Sequence, residues 1–251
     1  MSFVPNDWLA SNDELTGKTV LITGANRGIG EAVALSCAQH GAEVLLLGRD
    51  ETALARVYDQ ITDMGYPKPG LIPLDLNTRD PSLYAALADE LAGAEVVLDG
   101  LVHNASVLGE RRALAQTSPE SWDEVLQVNM TSVFLLTRAL MPRLEAASAA
   151  SVVLTSSGVG RQGKAYWGAY AVSKFATEGF MQVLADELSA TSSVRVNSLN
   201  PGAVNTSMRR AAYPGEPPDT NPVPAALTDR WLYLLSDASR NLHGQALSAQ
   251  S

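Results

Sequence analysis

Short apolar runs alternate with longer amphipathic stretches along most of this chain. The runs are rich in Val, Leu and Ile and predict buried strands, and the stretches between them predict helices. The predicted strands are 18–23, 43–47, 71–74, 98–103, 151–155, 194–199 and 246–248. The predicted helices are 28–40, 50–64, 81–91, 119–145, 167–189 and 225–236. Pro142 lies inside the fourth helix, where we expect a kink.

Alternation of near-continuously apolar strands with helices predicts a parallel sheet that is covered on both faces. Right-handed crossovers then give an α/β fold, a single-domain, doubly wound parallel sheet of the Rossmann type. We expect an N-terminal extension at 1–15 and one domain at 16–251. A length of 251 residues with 46% hydrophobic content suits one sizeable core.

Polar or glycine-containing segments follow several of the predicted strands. A glycine turn at 23–30, Asp75, Asn104, Ser157 and Pro201 all lie at the ends of strands or just past them. Ligands of doubly wound sheets bind beyond the carboxyl ends of the strands. We therefore expect these segments to form one shared site.

The segment 205–224 interrupts the alternation and contains five prolines. A long connection of this kind inside a compact domain is usually a functional loop. Because it follows Pro201 and Gly202 at the predicted site, we expect a lid over the substrate. A stiff surface loop is the alternative.

Composition narrows the classes of function. The formal net charge is −9 and the sequence pI is about 4.8, which disfavours binding to nucleic acid or to anionic lipid. Cys37 is the single cysteine, and its apolar helical surroundings predict a packing role. His40, His103 and His243 lack metal-ligand spacing, so we expect no metal. We find no signal peptide and no apolar run of ~20 residues, and expect a cytoplasmic protein.

Gly24, Gly28 and Gly30 lie between the first predicted strand and the helix that follows it. Glycines at such a turn let backbone N–H groups approach a pyrophosphate closely. The helix N-terminus adds a favourable partial charge for the anion. The turn therefore predicts a dinucleotide site.

Two arginines indicate which dinucleotide is bound. Arg27 lies in the glycine turn, and Arg49 follows the end of the second strand, where a carboxylate would favour a free ribose 2′-hydroxyl. Guanidinium groups match a 2′-phosphate in charge and geometry, which predicts NADP(H) over NAD(H). Alternatively, Arg49 pairs with Asp50 or Glu51 at the surface.

Tyr170 and Lys174 are four residues apart and share one face of a predicted helix. An ammonium group beside a phenol favours the phenolate, so we expect Lys174 to lower the pKa of Tyr170 and make it a usable acid or base. Ser157 ends the preceding strand segment. Arg161 and Lys164 lie between serine and tyrosine; we expect them to be solvated, with the binding of an acidic substrate as the alternative.

These motifs together resemble the short-chain dehydrogenase/reductase family over about residues 16–249. The resemblance implies reversible hydride transfer between a nicotinamide and a carbonyl or alcohol. It makes Tyr170 the acid or base, Ser157 the group that positions the substrate oxygen, and Asn129 the support of a water relay to Lys174. Lys174 would also bind the nicotinamide ribose.

The same resemblance assigns a set of residues to the cofactor. Ser106 replaces a family glycine in this set, so a side chain lies where the family has none. The assigned residues are Gly24, Asn26, Arg27, Gly28, Ile29, Gly30, Arg49, Asp75, Leu76, Asn104, Ala105, Ser106, Tyr170, Lys174, Pro201, Gly202, Val204 and Thr206.

Segments 155–163 and 167–179 look closest to the bacterial YciK-type branch of the family, which implies NADP-dependent reduction. The predicted helices at 119–145 and 167–189 are apolar on more than one face. Because members of the family commonly form dimers or tetramers through these two helices, we expect a homodimer or homotetramer.

Two alternatives to a small-molecule carbonyl reductase stay open. One is reduction of 3-oxoacyl groups on an acyl carrier protein, which the acidic surface disfavours. The other is a non-catalytic NADP(H)-binding sensor.

Overall fold

All strands described by the computed structural model, which covers residues 3–5 and 7–250, form one parallel sheet. They are β1 (Thr19–Thr23), β2 (Glu43–Gly48), β3 (Gly70–Pro73), β4 (Gly100–His103), β5 (Ser151–Thr155), β6 (Arg195–Asn200) and β7 (Ala246–Ser248). Their order is β3-β2-β1-β4-β5-β6-β7, which confirms the predicted doubly wound sheet. The order reverses between β1 and β4, where such sheets open a crevice for ligands.

Helices cover both faces of the sheet. They are α1 (Gly28–Gln39), α2 (Glu51–Asp63), α3 (Ser82–Gly93), α4 (Pro119–Leu126), α5 (Ser132–Glu145), α6 (Gly168–Leu188), α7 (Ser207–Ala212) and α8 (Asp229–Leu235). Successive residues of a strand point to opposite faces. Val20 and Ile22 accordingly join a core with α1, α2 and α8, whereas Leu21 joins a second core with α3, α5 and α6. Burial on both faces explains why the inner strands β1, β4 and β5 are mostly apolar, whereas the edge strands β3 and β7 are partly exposed.

The predicted helix at 119–145 is divided. A π-helical turn at Gln127–Thr131 separates α4 from α5, and α5 runs through Pro142 to Glu145. The departure from α geometry is therefore at 127–131 and not at the proline. Single π turns inside helices are frequent at functional sites, and this one contains Asn129.

Two further segments differ from their predictions. The predicted helix 225–236 begins as a 3₁₀ turn, Pro224–Leu227, before α8. The proline-rich segment 205–224 contains the short helix α7, capped by Thr206 Oγ1, which accepts a hydrogen bond from Arg209 N at 3.1 Å. A helix of six residues is too short to show a clear apolar period in the sequence. The capping residue Thr206 was therefore the only remaining sequence signal for α7.

Part of the predicted N-terminal extension packs against the domain. Leu15 is fully buried, and the ring of Trp8 meets Tyr233 of α8 edge-on at a centroid distance of 5.1 Å. Met1, Ser2 and Asn6 of that extension, and Ser251 at the other terminus, lie outside the described residues.

Candidate active site

A cleft of about 550 Å³ opens at the carboxyl edge of the sheet. It is lined from the loops that follow β1 to β6, and this is the size range of small-molecule and cofactor sites. All residues predicted for cofactor and catalysis line it except Gly30 and Asn129. The sequence reasoning missed several lining residues, namely Gly48, Leu74, Thr155, Ser156, Met208, Arg209, Ala211 and Ala212. The last four lie on α7, which was not predicted.

The glycine turn is tightly closed on itself at the start of α1. Gly28 has a φ of +60°, in the left-handed region. A Cβ at Gly30 would lie 2.2 Å from the carbonyl oxygen of Gly24, so no side chain fits there. No side chain caps the start of α1, which leaves the N–H groups of its first turn for an anion in the cleft.

Thr23, at the end of β1, ties the glycine turn to the loop after β4. Its Oγ1 accepts hydrogen bonds from Asn104 N and Ala105 N, both at 3.0 Å. Asn104 Nδ2 donates to Thr23 O at 3.2 Å. These bonds lie at the β1–β4 junction and hold the middle of the cleft in one conformation.

Arg27 and Arg49 both line one end of the cleft. Neither forms an ion pair with any residue that the structure describes. The carboxylate of Asp50 instead caps α2, where it accepts a hydrogen bond from Ala53 N at 3.0 Å. The surface pairing of Arg49 with Asp50 or Glu51 is thus not formed, and neither arginine at this end of the cleft has a described ion-pair partner.

Asp75 and Leu76 line the cleft just past β3. Asp75 Oδ1 accepts a hydrogen bond from Asn77 N at 3.0 Å, which closes a turn rather than capping α3. This turn fixes the carboxylate at the end of the strand.

Tyr170, Ser157 and Lys174 meet in the interior of the cleft. Tyr170 lies in the first turn of α6, and Lys174 lies one turn later on the same face. The Lys174 Nζ donates to Thr155 O at 2.8 Å and lies 5.6 Å from the centre of the Tyr170 ring. Both side chains are buried, so each ionisation is strongly affected by loss of water.

Burial raises the pKa of Tyr170 to about 12, and the nearby hydroxyls of Ser157 and Ser106 offset part of this rise. The predicted lowering of this pKa by Lys174 is therefore wrong in direction. Burial lowers the pKa of Lys174 to about 8, while the charge of Glu178 acts to raise it. Desolvation outweighs the two hydroxyl contacts at Tyr170 and the charge of Glu178 at Lys174.

Asn129 lies behind the cleft wall in the π turn. Its Oδ1 accepts from Val107 N at 2.8 Å, and its Nδ2 donates to Val107 O and Ser173 Oγ, each at 3.0 Å. The side chain therefore joins α6 to the loop after β4. It fixes two walls of the cleft relative to each other.

The sequence reasoning missed a buried network around Glu178, one turn beyond Lys174 on α6. Glu178 accepts from Ser156 Oγ at 2.5 Å, Ser198 Oγ at 2.6 Å and Arg161 Nε at 3.0 Å. Arg161 is exposed, as predicted, but its guanidinium group also donates to Leu247 O of β7 at 2.7 Å and is therefore held by the protein. The i,i+4 spacing of Lys174 and Glu178 was the available signal.

The outer part of the cleft is apolar. Trp167, Leu108, Met208 and Ala212 pack around Tyr170, and the rings of Trp167 and Tyr170 lie 5.7 Å apart. This end can hold an apolar group next to the phenol. The polar groups that would act on it are the hydroxyls of Tyr170, Ser157 and Ser106.

Among the described residues, no group of His, Cys, Asp or Glu could hold a metal ion. Cys37 is buried, which confirms its packing role, and burial raises its thiol pKa to about 12. Burial, together with the charge of Lys174, lowers the pKa of His103 to about 3.

Within the described part of the chain, no helix combines the length and the hydropathy that a membrane crossing requires.

Comparison with known proteins adds independent findings. The family model for short chain dehydrogenases matches residues 18–217. Oxidoreductase YciK of Escherichia coli, which is uncharacterised, is 44% identical over 95% of this chain and 94% of its own length. The 3-oxoacyl-[acyl-carrier-protein] reductase FabG of Vibrio cholerae is 31% identical over 78% of each chain. A short chain dehydrogenase of Shigella flexneri, crystallised with NADP, superposes with a TM-score of 0.93 at 43% identity, covering 96% of this chain and 100% of that one.

Proposed function

This chain belongs to the short-chain dehydrogenase family, and on that premise we propose that it is an NADP(H)-dependent reductase of a small carbonyl compound. One observation carries the proposal. A single cleft joins a glycine turn and two unpaired arginines at one end to Tyr170, Ser157 and Lys174 at the other.

The residues present fit NADP(H). The glycine turn would hold the pyrophosphate, Arg27 and Arg49 the 2′-phosphate, and Asp75 the adenine amine. Val204 and Thr206 would hold the carboxamide end, with Pro201 and Gly202 shaping the loop. The Shigella flexneri relative, crystallised with NADP, supports this choice. When bound, the nicotinamide supplies the hydride.

The side chains of this protein would supply the proton and the electrostatics. A raised pKa keeps Tyr170 protonated near neutral pH, which suits a general acid that donates to the carbonyl oxygen as it gains charge. Ser157 would donate a second hydrogen bond to that oxygen. The Lys174 ammonium would stabilise the tyrosinate left behind. The protonated phenol is the form that reduction requires.

The first test is loss of reduced-nicotinamide absorbance with a panel of ketones, aldehydes and diketones, run with NADPH and NADH in parallel. Turnover with NADPH well above that with NADH supports the proposal. Preference for an acetoacetyl thioester would favour the carrier-protein alternative, to which the likeness to FabG points. Binding of NADPH with no turnover of any compound would favour the sensor.

The pH profile should depend on Lys174 and on its neighbour Glu178. The Lys174 ammonium is present below its pKa of about 8 and lost above it, so kcat for reduction should be level at lower pH and fall as pH rises through that value. Because the charge of Glu178 raises this pKa, Glu178→Gln should move the fall to lower pH. The matched control is Glu187→Gln, an exposed residue of the same helix, which should leave the profile in place. An unchanged profile in Glu178→Gln would show that Glu178 does not support the charge of Lys174.

We also propose that segment 205–224 is a lid. Its helix α7 contributes Met208, Arg209 and Ala212 to the cleft wall. Arg209 is held by Glu216 of the same segment, with hydrogen bonds of 2.7 and 2.6 Å to the two carboxylate oxygens. The segment is thus internally braced and lies over the apolar end of the site.

We propose a homo-oligomer assembled through α5 and α6. Phe134 of α5 and Phe175 and Val183 of α6 are 46%, 46% and 59% exposed although both helices already pack on the sheet. Phe175→Glu with Val183→Glu should shift the protein to monomers in light scattering, because a charge would be buried in an apolar contact. Leu83→Glu, at a 43% exposed position of α3, is the control and should leave the mass unchanged. A variant that keeps the wild-type mass would exclude this face as the interface.

A further inference from the structure

Three cations surround two aromatic rings at the rim of the apolar end of the cleft. The guanidinium carbon of Arg111 lies 4.6 Å from the centre of the Trp167 ring and 5.0 Å from that of Tyr213. Arg209 lies 3.9 Å from the Tyr213 ring centre, and Lys164 Nζ donates to Tyr213 Oη at 3.1 Å. We call Arg111, Lys164, Arg209, Trp167 and Tyr213 the cationic rim.

The positive charge of this rim is only partly neutralised. Arg209 pairs with Glu216 at 2.6 Å. Arg111 and Lys164 form no ion pair with the residues that the structure describes, whereas the adjacent Arg112 pairs with Glu110 at 3.5 Å. Arg111 at 5.0 Å and Lys164 at 5.6 Å from the centre of the Tyr213 ring therefore place two unpaired cations beside one aromatic ring.

The phenol of Tyr213 responds to this charge. Its pKa is lowered, most strongly by the hydrogen bond from Lys164; burial opposes this shift, and the charges of Lys164, Arg209 and Arg111 each lower the pKa further. The rim therefore presents a positive potential to the solution in front of the cleft. An anion arriving there would meet Arg111 and Lys164, which form no ion pair with a described residue, whereas Arg209 is already bound to Glu216.

Two members of the rim, Trp167 and Arg209, line the cleft itself, whereas Arg111, Lys164 and Tyr213 lie beside them outside its lining. The Trp167 ring contacts Arg111 on one side and lies 5.7 Å from the Tyr170 ring, and both tyrosine and tryptophan line the cleft. Leu108 and Met208 pack beside them. A ligand with its carbonyl at Tyr170 would thus lay an apolar body along Trp167 and reach the rim with its far end.

We propose that the substrate is a carbonyl compound with an apolar body and an anionic group at its far end, and that Arg111 and Lys164 bind that group. The proposal rests on the proposed reductase function, since it uses Tyr170 as the point where the carbonyl binds. It makes Arg111 and Lys164 specificity-determining residues. A purely structural role, in which the cations only pack the lid against Trp167, predicts no dependence on the charge of the substrate.

The test compares acids with their methyl esters. Para-acetylbenzoate, meta-acetylbenzoate and para-acetylphenylacetate, each beside its methyl ester, would be assayed with NADPH on the wild type and on the double variant Arg111→Gln, Lys164→Gln. We expect the wild type to have a lower KM for at least one acid than for its ester. In the double variant that KM should rise by about tenfold, the effect of losing two partly exposed charged contacts, while the ester is unaffected. Arg112→Gln, the adjacent paired arginine, is the control and should change neither.

Binding separates this proposal from the function on which it rests. Calorimetric titration of the same acids and esters into protein saturated with NADP⁺ requires no turnover. If the acid binds more tightly than the ester and the double variant loses this difference, the anion-binding role of the cationic rim is supported. If in addition no compound is reduced, only the proposed reductase function is overturned. Equal binding of acid and ester, no binding of either, or equal losses of both in the double variant overturns the proposed anionic substrate.

Discussion

Tyr170→Phe is expected to lower kcat for carbonyl reduction by about 10²-fold or more, because it removes the proton donor and leaves the rest of the site in place. The ring would still pack 5.7 Å from Trp167, and the Lys174 Nζ would keep its hydrogen bond to Thr155 O. NADPH binding, measured by fluorescence titration, should therefore change little. We expect the loss in kcat rather than in cofactor binding, because the proton is donated in the transition state.

The matched control is Tyr166→Phe. Tyr166 is four residues earlier and 61% exposed, so removing its hydroxyl should leave kcat and NADPH binding as in the wild type. A Tyr170→Phe variant as active as the wild type would overturn the assignment of Tyr170 as acid. A variant that loses both activity and NADPH binding would show that the hydroxyl acts on the shape of the cleft instead.

Most of the candidate site could be predicted because its motifs are local. The glycine turn lies at one strand–helix junction, and Tyr170 and Lys174 lie on one helix, so their geometry follows from short-range periodicity. The parallel sheet then brings the ends of separate strands to one edge, which places Ser157 and Asn104 in the same cleft. The position of the site is therefore a consequence of the parallel sheet that the apolar pattern predicts.

The features that were not predicted depend on long-range partners. Arg161 is exposed as expected, but its acceptors on α6 and β7 were not predicted, because they lie far away in the chain. Asn129 is anchored to Val107 through a π turn that no sequence period signals. The pKa of Tyr170 was mispredicted because the spacing shows the nearby Lys174 but not the depth of burial. Desolvation is a property of the whole fold and decides this direction.

The second large effect is expected at the other end of the cleft. Arg27→Ala with Arg49→Ala should raise the KM for NADPH by about 10²-fold and leave the KM for NADH nearly unchanged. A hydrogen bond to a charged group contributes about 1.5–3 kcal/mol, or roughly tenfold to a hundredfold per arginine. Both arginines are solvent-exposed, so we expect the lower end of that range for each. Steady-state kinetics with both cofactors, and direct titration of each without substrate, would measure the change.

Arg56 supplies a control of the same residue type close to the glycine turn. Its guanidinium group is already bound to Glu31 at 2.7 Å and to Asn26 O at 3.2 Å, so it is not available to a 2′-phosphate. Arg56→Ala should therefore affect NADPH and NADH alike, through the shape of the turn. An Arg27, Arg49 double variant that keeps the wild-type ratio of the two KM values would show that the preference for a phosphorylated ribose is not set by these unpaired arginines. The ratio is decisive because both cofactors share every other contact in the cleft and differ only in the 2′-phosphate.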